Sequence, residues 1–154
     1  MKHLKYFESV NFIYSYTWNN SEDAHDAIYY FTNKYDTEYV LQFQDQLFMF
    51  ETKQYKFDYT NEHDVVNVMN TVTTIISDYL LHYNEEDLYI DNMHSDKEHN
   101  KIKEEYPEDF FNKSHKIINK RTILMSEYLR KNLPKNYKFK PIRININMLH
   151  IYKK

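Results

Sequence analysis

The residues best suited to chemistry lie near the C-terminal end. Arg130, Lys131, Lys135, Lys138, Lys140 and Arg143 interleave with Tyr137 and Phe139. Cations beside aromatic rings can neutralise phosphates while the rings stack on bases. Lys120 and Arg121 extend the set toward the N-terminus. All three arginines of the chain, Arg121, Arg130 and Arg143, fall in this last third. Arginine is the residue for bidentate phosphate or base contacts. The candidate site for nucleic acid or a partner is therefore Lys120, Arg121, Arg130, Lys131, Lys135, Tyr137, Lys138, Lys140 and Arg143. A solvated or internally paired basic face is the simpler reading. Three arginines are few, and the pI near 6.2 is not that of a strongly basic domain.

Three other constellations carry weaker signals. His94 and His99, with Asp91 and Asp96, are the best metal-type grouping. Five residues apart on a helix puts the two rings about 140° from one another, where i, i+4 is the useful spacing. Solvated polar surface explains them as well. Asp45, Glu51 and Lys53 stand in the order D…E-x-K of metal-dependent nucleases, in which two carboxylates hold Mg²⁺ and a lysine steers water. Short E-x-K matches arise by chance, and an exposed strand face is the plainer account. His63-Asp64 with Ser77 or Ser114 has no elbow or oxyanion turn to make it a triad. His63-Asp64 suits a helix start better.

Composition excludes much more. The 154 residues contain no glycine and no cysteine. Phosphate-binding P-loops, dinucleotide G-x-G-x-x-G turns and G-x-S-x-G elbows need glycine where the backbone takes positive φ or touches phosphate. Zinc fingers, redox pairs, thiol catalysis and disulfide scaffolds need cysteine. No cofactor is expected. The 42% hydrophobic share is enough for a core, and the length suits one domain over residues 1–154. Tyr (16), Phe (10), Asn and Lys abound while Ala and Arg are scarce, the signature of an AT-rich genome such as that of a low-GC bacterium or its phages. The first ten residues carry Lys2, His3, Lys5 and Glu8 and no apolar run, and no stretch approaches a membrane span. A cytoplasmic protein with no membrane partner is expected.

Charge is unevenly spread. Residues 1–83 hold 5 Lys/Arg against 12 Asp/Glu, residues 84–109 hold 3 against 10, and residues 110–154 hold 12 against 1. Such asymmetry points to a polyanion-facing surface or an acidic partner, unless the basic third folds back on the acidic remainder.

Elements that must position these residues follow from periodicity. Val10–Trp18 alternates aromatics and predicts a strand. Ala27–Thr32, Glu38–Gln44, Leu47–Thr52 and Tyr55–Tyr59 predict four more, forming an antiparallel meander. Asn and Asp at 33–36 must supply left-handed turn geometry where no glycine exists. Asp64–Tyr83 repeats apolar residues every three or four positions and predicts a long amphipathic helix packed on the sheet, capped by Thr60 or Asn61. Leu88–Ile90 predicts a short strand. Ser95 and Glu98 form a capping box for a helix to about Tyr106. Glu108–Asn112 predicts a further helix. Residues 116–132 fit either helix or strand, leaning helical after Thr122. Ile142, Ile144, Ile146 and Met148 predict a C-terminal strand. The fold class is α+β.

The run Tyr29-Tyr30-Phe31-Thr32, Tyr39-Val40-Leu41-Gln42-Phe43, Asp64-Val65-Val66, Thr71-Val72, Ile75-Ile76, then Asp96-Lys97-Glu98 before Phe110-Phe111, resembles small uncharacterised α+β proteins of Bacteroidetes and their phages and mobile elements. The resemblance covers about residues 27–111. It implies a hairpin sheet with a packed helix and no catalytic residues.

These readings converge on a non-catalytic protein that works by binding a host protein or nucleoprotein complex, including RNA. An anti-defence inhibitor of the anti-CRISPR type is one expectation. Direct RNA or DNA binding through the basic third is the second, and a metal-dependent nuclease is the third.

Overall fold

The computed structural model describes residues 13–20, 25–52 and 64–154. Their strands form one seven-stranded sheet in the order β1-β2-β3-β4-β5-β7-β6. The strands are β1 Tyr16–Asn20, β2 Ala27–Thr32, β3 Glu38–Gln44, β4 Leu47–Thr52, β5 Asp87–Asp91, β6 Tyr137–Ile142 and β7 Asn145–Lys153. The helices are α1 Val65–Tyr83, α2 Asp96–Glu105, α3 Phe110–Lys116 and α4 Lys120–Asn132. Neighbouring strands run antiparallel except β4 and β5, which are parallel. Parallel neighbours need a long crossover, and α1 lies within it.

Alternation sorts the strands into two faces. Ala27, Phe43, Phe48, Ile90 and Leu149 stand opposite one another across five strands, and all five are buried. Aromatic pairs reinforce this face: Phe43 meets Phe48 within the row at 4.9 Å, and Phe31 stacks on Tyr39 at 4.9 Å beside it. Burying each such side chain stabilises the fold by about 1.5–3 kcal/mol. The helices pack on this face. Tyr79 of α1 stacks on Phe43 at 3.9 Å, and Arg121 of α4 lies 4.1 Å from the Phe50 ring.

The helix α1 has few strong helix formers, so packing must hold it. Val68, Val72, Ile75, Ile76 and Leu80 supply the apolar stripe. Its second buried side is polar and faces α4. The Asn132 amide donates to Thr73 Oγ1 at 2.7 Å, and the Ser77 hydroxyl donates to the Asn132 carbonyl at 2.6 Å. The expected caps Thr60 and Asn61 lie outside the described residues. Asp64 takes the N-cap position without capping the helix. Its carboxylate accepts the Tyr14 hydroxyl at 2.6 Å instead.

Turns solve the lack of glycine with Asp, Asn and Gln. Asp36 (φ 62°), Asp45 (φ 52°), Gln46 (φ 65°) and Asn84 (φ 51°) take left-handed backbone. Asp45-Gln46 is a two-residue hairpin turn with both φ values positive, which matches the strand twist. Asn84 closes α1 in the αL conformation, its N–H donating to the Leu80 carbonyl. Asn33 Oδ1 accepts the Tyr35 and Thr37 N–H groups and holds the 33–36 turn.

Some expectations are corrected and others decided by the structure. The first strand begins at Tyr16, and Ile13–Ser15 lie outside it. The predicted strand at 55–59 falls outside the described residues. Residues 120–132 are helical, with Asn119 Oδ1 capping by accepting the Thr122 N–H at 2.8 Å. The single C-terminal strand is in fact a hairpin. Arg143 and Ile144 form its turn, and Ile144 is 82% exposed. Within β7 the buried residues are Asn147, Leu149 and Ile151, while Ile146 and Met148 are half-buried on the opposite face. The isoleucine alternation continued through a turn that carries no Gly, Asn or Asp.

Candidate functional site

The C-terminal hairpin and the end of α4 bring most of the predicted basic residues together. Arg121, Met125 and Leu129 lie one above another on the inner face of α4, and all are buried. Arg130 and Lys131 follow on the outside of its last turn. Leu133-Pro134 stops the helix, because proline cannot continue it and restricts the residue before it. Lys135 occupies the connecting turn, and β6 then runs along the sheet's free edge.

A groove of about 760 Å³ follows this α4–β6 corner. Leu129, Leu133, Pro134, Phe139 and Pro141 give it an apolar floor. Arg130, Lys135, Lys138, Lys140 and Lys154 also line it, and no Asp or Glu does. The Arg130 guanidinium lies 5.6 Å from the Phe139 ring centroid, and Lys140 Nζ lies 5.2 Å from that of Tyr152. These cation–π contacts hold the charges beside the rings. A second hollow of about 400 Å³ between β1, β2 and β3 includes Glu38. The charged side chains of the α4–β6 groove are all cationic, a set suited to anions.

Two predicted site residues are buried: Arg121, which does not line the groove, and Tyr137, which borders it from within. Arg121 is 5% exposed, and its Nη2 donates to the Phe50 carbonyl at 2.7 Å. Tyr137 is also 5% exposed, and its hydroxyl donates to the Glu85 carbonyl at 2.5 Å. Burial, then the charges of Glu85 and Glu86, raise the Tyr137 pKa. Both are structural. Their inward direction follows from period: Arg121 lies four residues before Met125, and Tyr137 two before Phe139. Lys120 is exposed at the opposite end of α4, away from the groove. Lys131 and Arg143 are exposed but do not line it.

Ion pairs among the described residues include His25–Glu85 at 2.6 Å and His150–Asp87 at 2.7 Å. Arg130, Lys131, Lys135, Lys138, Lys140 and Arg143 take part in neither.

The weaker constellations come apart. His94 Nε2 lies 2.6 Å from the Ser114 carbonyl, while the His99 ring packs edge-on against Phe110 at 4.7 Å. Among the described residues no group of three His, Cys, Asp or Glu could hold a metal. Asp91 is desolvated by burial, which raises its pKa against the pull of Arg121 and His115. Asp45 sits in the turn before β4 and Glu51 near its other end, roughly 20 Å along the strand. Lys53 and His63 lie outside the described residues. The Ser77 and Ser114 hydroxyls donate to backbone carbonyls.

Near the C-terminal ends of β4 and β5, polar side chains form a structural hub. Asn147 Oδ1 accepts from the Asn119 N–H at 2.9 Å and the Thr122 hydroxyl at 2.8 Å. Its Nδ2 donates to the Ile117 carbonyl at 2.9 Å, and the Asn119 amide donates to the Asn92 carbonyl at 2.7 Å. Sequence reasoning missed this hub, because Asn147 read as the solvent face of its strand. It also missed Lys154 and the rings of Tyr89, His150 and Tyr152. The alternation of His150 and Tyr152 with Leu149 and Ile151 was the available signal.

No family model, curated protein or solved structure matches the chain. No helix among the described residues is long and apolar enough to cross a membrane.

Proposed function

We propose that the protein binds nucleic acid through the α4–β6 groove. One observation supports this reading: Arg130, Lys135, Lys138, Lys140 and Lys154 border one groove whose lining includes no Asp or Glu. Cations crowded together repel one another at separations within the Debye length, about 8 Å at physiological salt. A polyanion removes that repulsion and releases its own counterions. The Phe139 ring holds Arg130 beside the apolar floor, and the Tyr152 ring holds Lys140 at the edge strand β6.

The test is fluorescence anisotropy of a labelled RNA against the wild-type chain and the Lys135→Glu/Lys138→Glu variant. Both lysines are exposed, so the variant folds. The reading expects roughly tenfold weaker binding or worse. Equal binding by variant and wild type would sink it.

A further inference from the structure

The groove opens at the sheet edge onto a face that no described helix covers. On β5, β7 and β6 the residues of this face form a small grid. Asp87, Tyr152 and Lys138 stand opposite one another in one row, and Tyr89, His150 and Lys140 in the next. The intervening residues Leu88, Ile90, Leu149 and Ile151 are buried on the helix side, so the grid points the other way. Tyr89 and His150 stack at 4.5 Å with 8° between their planes, and Tyr152 follows at 5.4 Å from His150. Three half-buried rings thus follow one another across the sheet, Tyr89 stacked on His150 and Tyr152 tilted beside it, bordered by Lys138 and Lys140. Those two lysines also border the α4–β6 groove, while alternation with Phe139 turns their side chains to this face.

We propose that this ring row is a stacking platform for the bases of single-stranded nucleic acid whose phosphates lie along Lys138 and Lys140. The inference rests on the groove being a nucleic-acid site and deepens it by naming the strand state. A duplex hides its base faces, whereas a single strand can splay them onto aromatic rings. The charge arrangement agrees. The cations lie on the edge strand, and the acid of the grid, Asp87, lies at the far side with its carboxylate against His150 Nε2 at 2.7 Å. A strand crossing β6 and β7 meets cations and rings before it reaches that carboxylate.

Oligo(U), oligo(dT) and duplex probes of about 12 nucleotides or base pairs suit this footprint. The wild-type protein is expected to bind both single strands more tightly than duplex. Tyr152→Leu is expected to weaken single-strand binding about tenfold, with duplex binding unchanged, and Tyr152→Trp to restore it. Photo-crosslinking of a 4-thiouridine oligonucleotide to the unmodified protein reads the same contact without a substitution. Adducts on Tyr89, His150 or Tyr152 support the platform. Adducts confined to α4, or duplex and single strand bound alike with Tyr152→Leu at wild-type affinity, overturn it. In that case loss of binding in Lys135→Glu/Lys138→Glu would leave the groove reading standing. No binding of any probe at low salt overturns both.

Discussion

The Arg130 guanidinium lies 5.6 Å from the Phe139 ring centroid, which ties the last turn of α4 to the edge strand β6. The contact orients a cation along the groove as well as holding two elements together. Arg130→Ala is expected to cost about 0.5–1 kcal/mol of stability and to weaken RNA binding severalfold. Arg130→Lys keeps the charge but loses the planar stacked group, so it should retain most binding and lose the stability increment. Urea denaturation and anisotropy on the same preparations separate the two effects. Equal stability of all three proteins would remove the tie.

Asn147 is expected to be the least replaceable polar residue. Asn147→Ala strands the Asn119 N–H and the Ile117 carbonyl in the interior, and should destabilise by about 3 kcal/mol. The readout is a lower urea midpoint at unchanged slope. A loss below about 1 kcal/mol would show that water replaces these bonds.

Glu98 links two helices. Its carboxylate accepts the Ser95 N–H at 2.9 Å and the Lys120 N–H at 3.0 Å. Burial alone would raise its pKa, but those hydrogen bonds outweigh burial and leave it lowered. A lowered folded-state pKa means stability present above the unfolded value of 4.5 and lost as pH falls through the folded one. Wild-type stability should therefore fall on acidification below that value, and Glu98→Gln should flatten this dependence. Parallel pH profiles would contradict the assignment.

The Asp45-Gln46 turn places two non-glycine residues at positive φ. Asp45→Asn/Gln46→Gly supplies the preferred residues for this turn. It should stabilise by about 0.5–1 kcal/mol, after the entropic cost of glycine. Thermal unfolding checks this, and a lower midpoint would mean the native side chains contribute more than their strain costs.

The sequence made the local elements legible where period and turn chemistry agreed. Residues 27–32, 38–44 and 47–52 alternate cleanly and became β2, β3 and β4 with those bounds. The 3–4 spacing from Val65 to Tyr83 became α1, and Ser95 with Glu98 formed the expected capping box. What it hid was non-local. The parallel pairing of β4 with β5 leaves no mark in either strand. The C-terminal hairpin was hidden because Ile142 and Ile144 keep an even spacing through a turn made of Arg and Ile. The basic cluster was legible as composition, but which cations reach the surface depended on the helix face. Arg121 was therefore assigned to the surface although its position one turn before Met125 sends it inward.

The central claim is that the α4–β6 groove neutralises nucleic-acid phosphates, and salt tests it most directly. The Kd for a labelled single-stranded oligonucleotide would be measured from roughly 50 to 200 mM salt. Contact of four or five phosphates by the groove's cations predicts a log–log slope of binding constant against salt of about −3. Lys135→Ala and Lys138→Ala should each make that slope shallower by about one phosphate's share, about 0.7. Binding that is absent at the lowest salt, or that does not change with salt, would contradict the account.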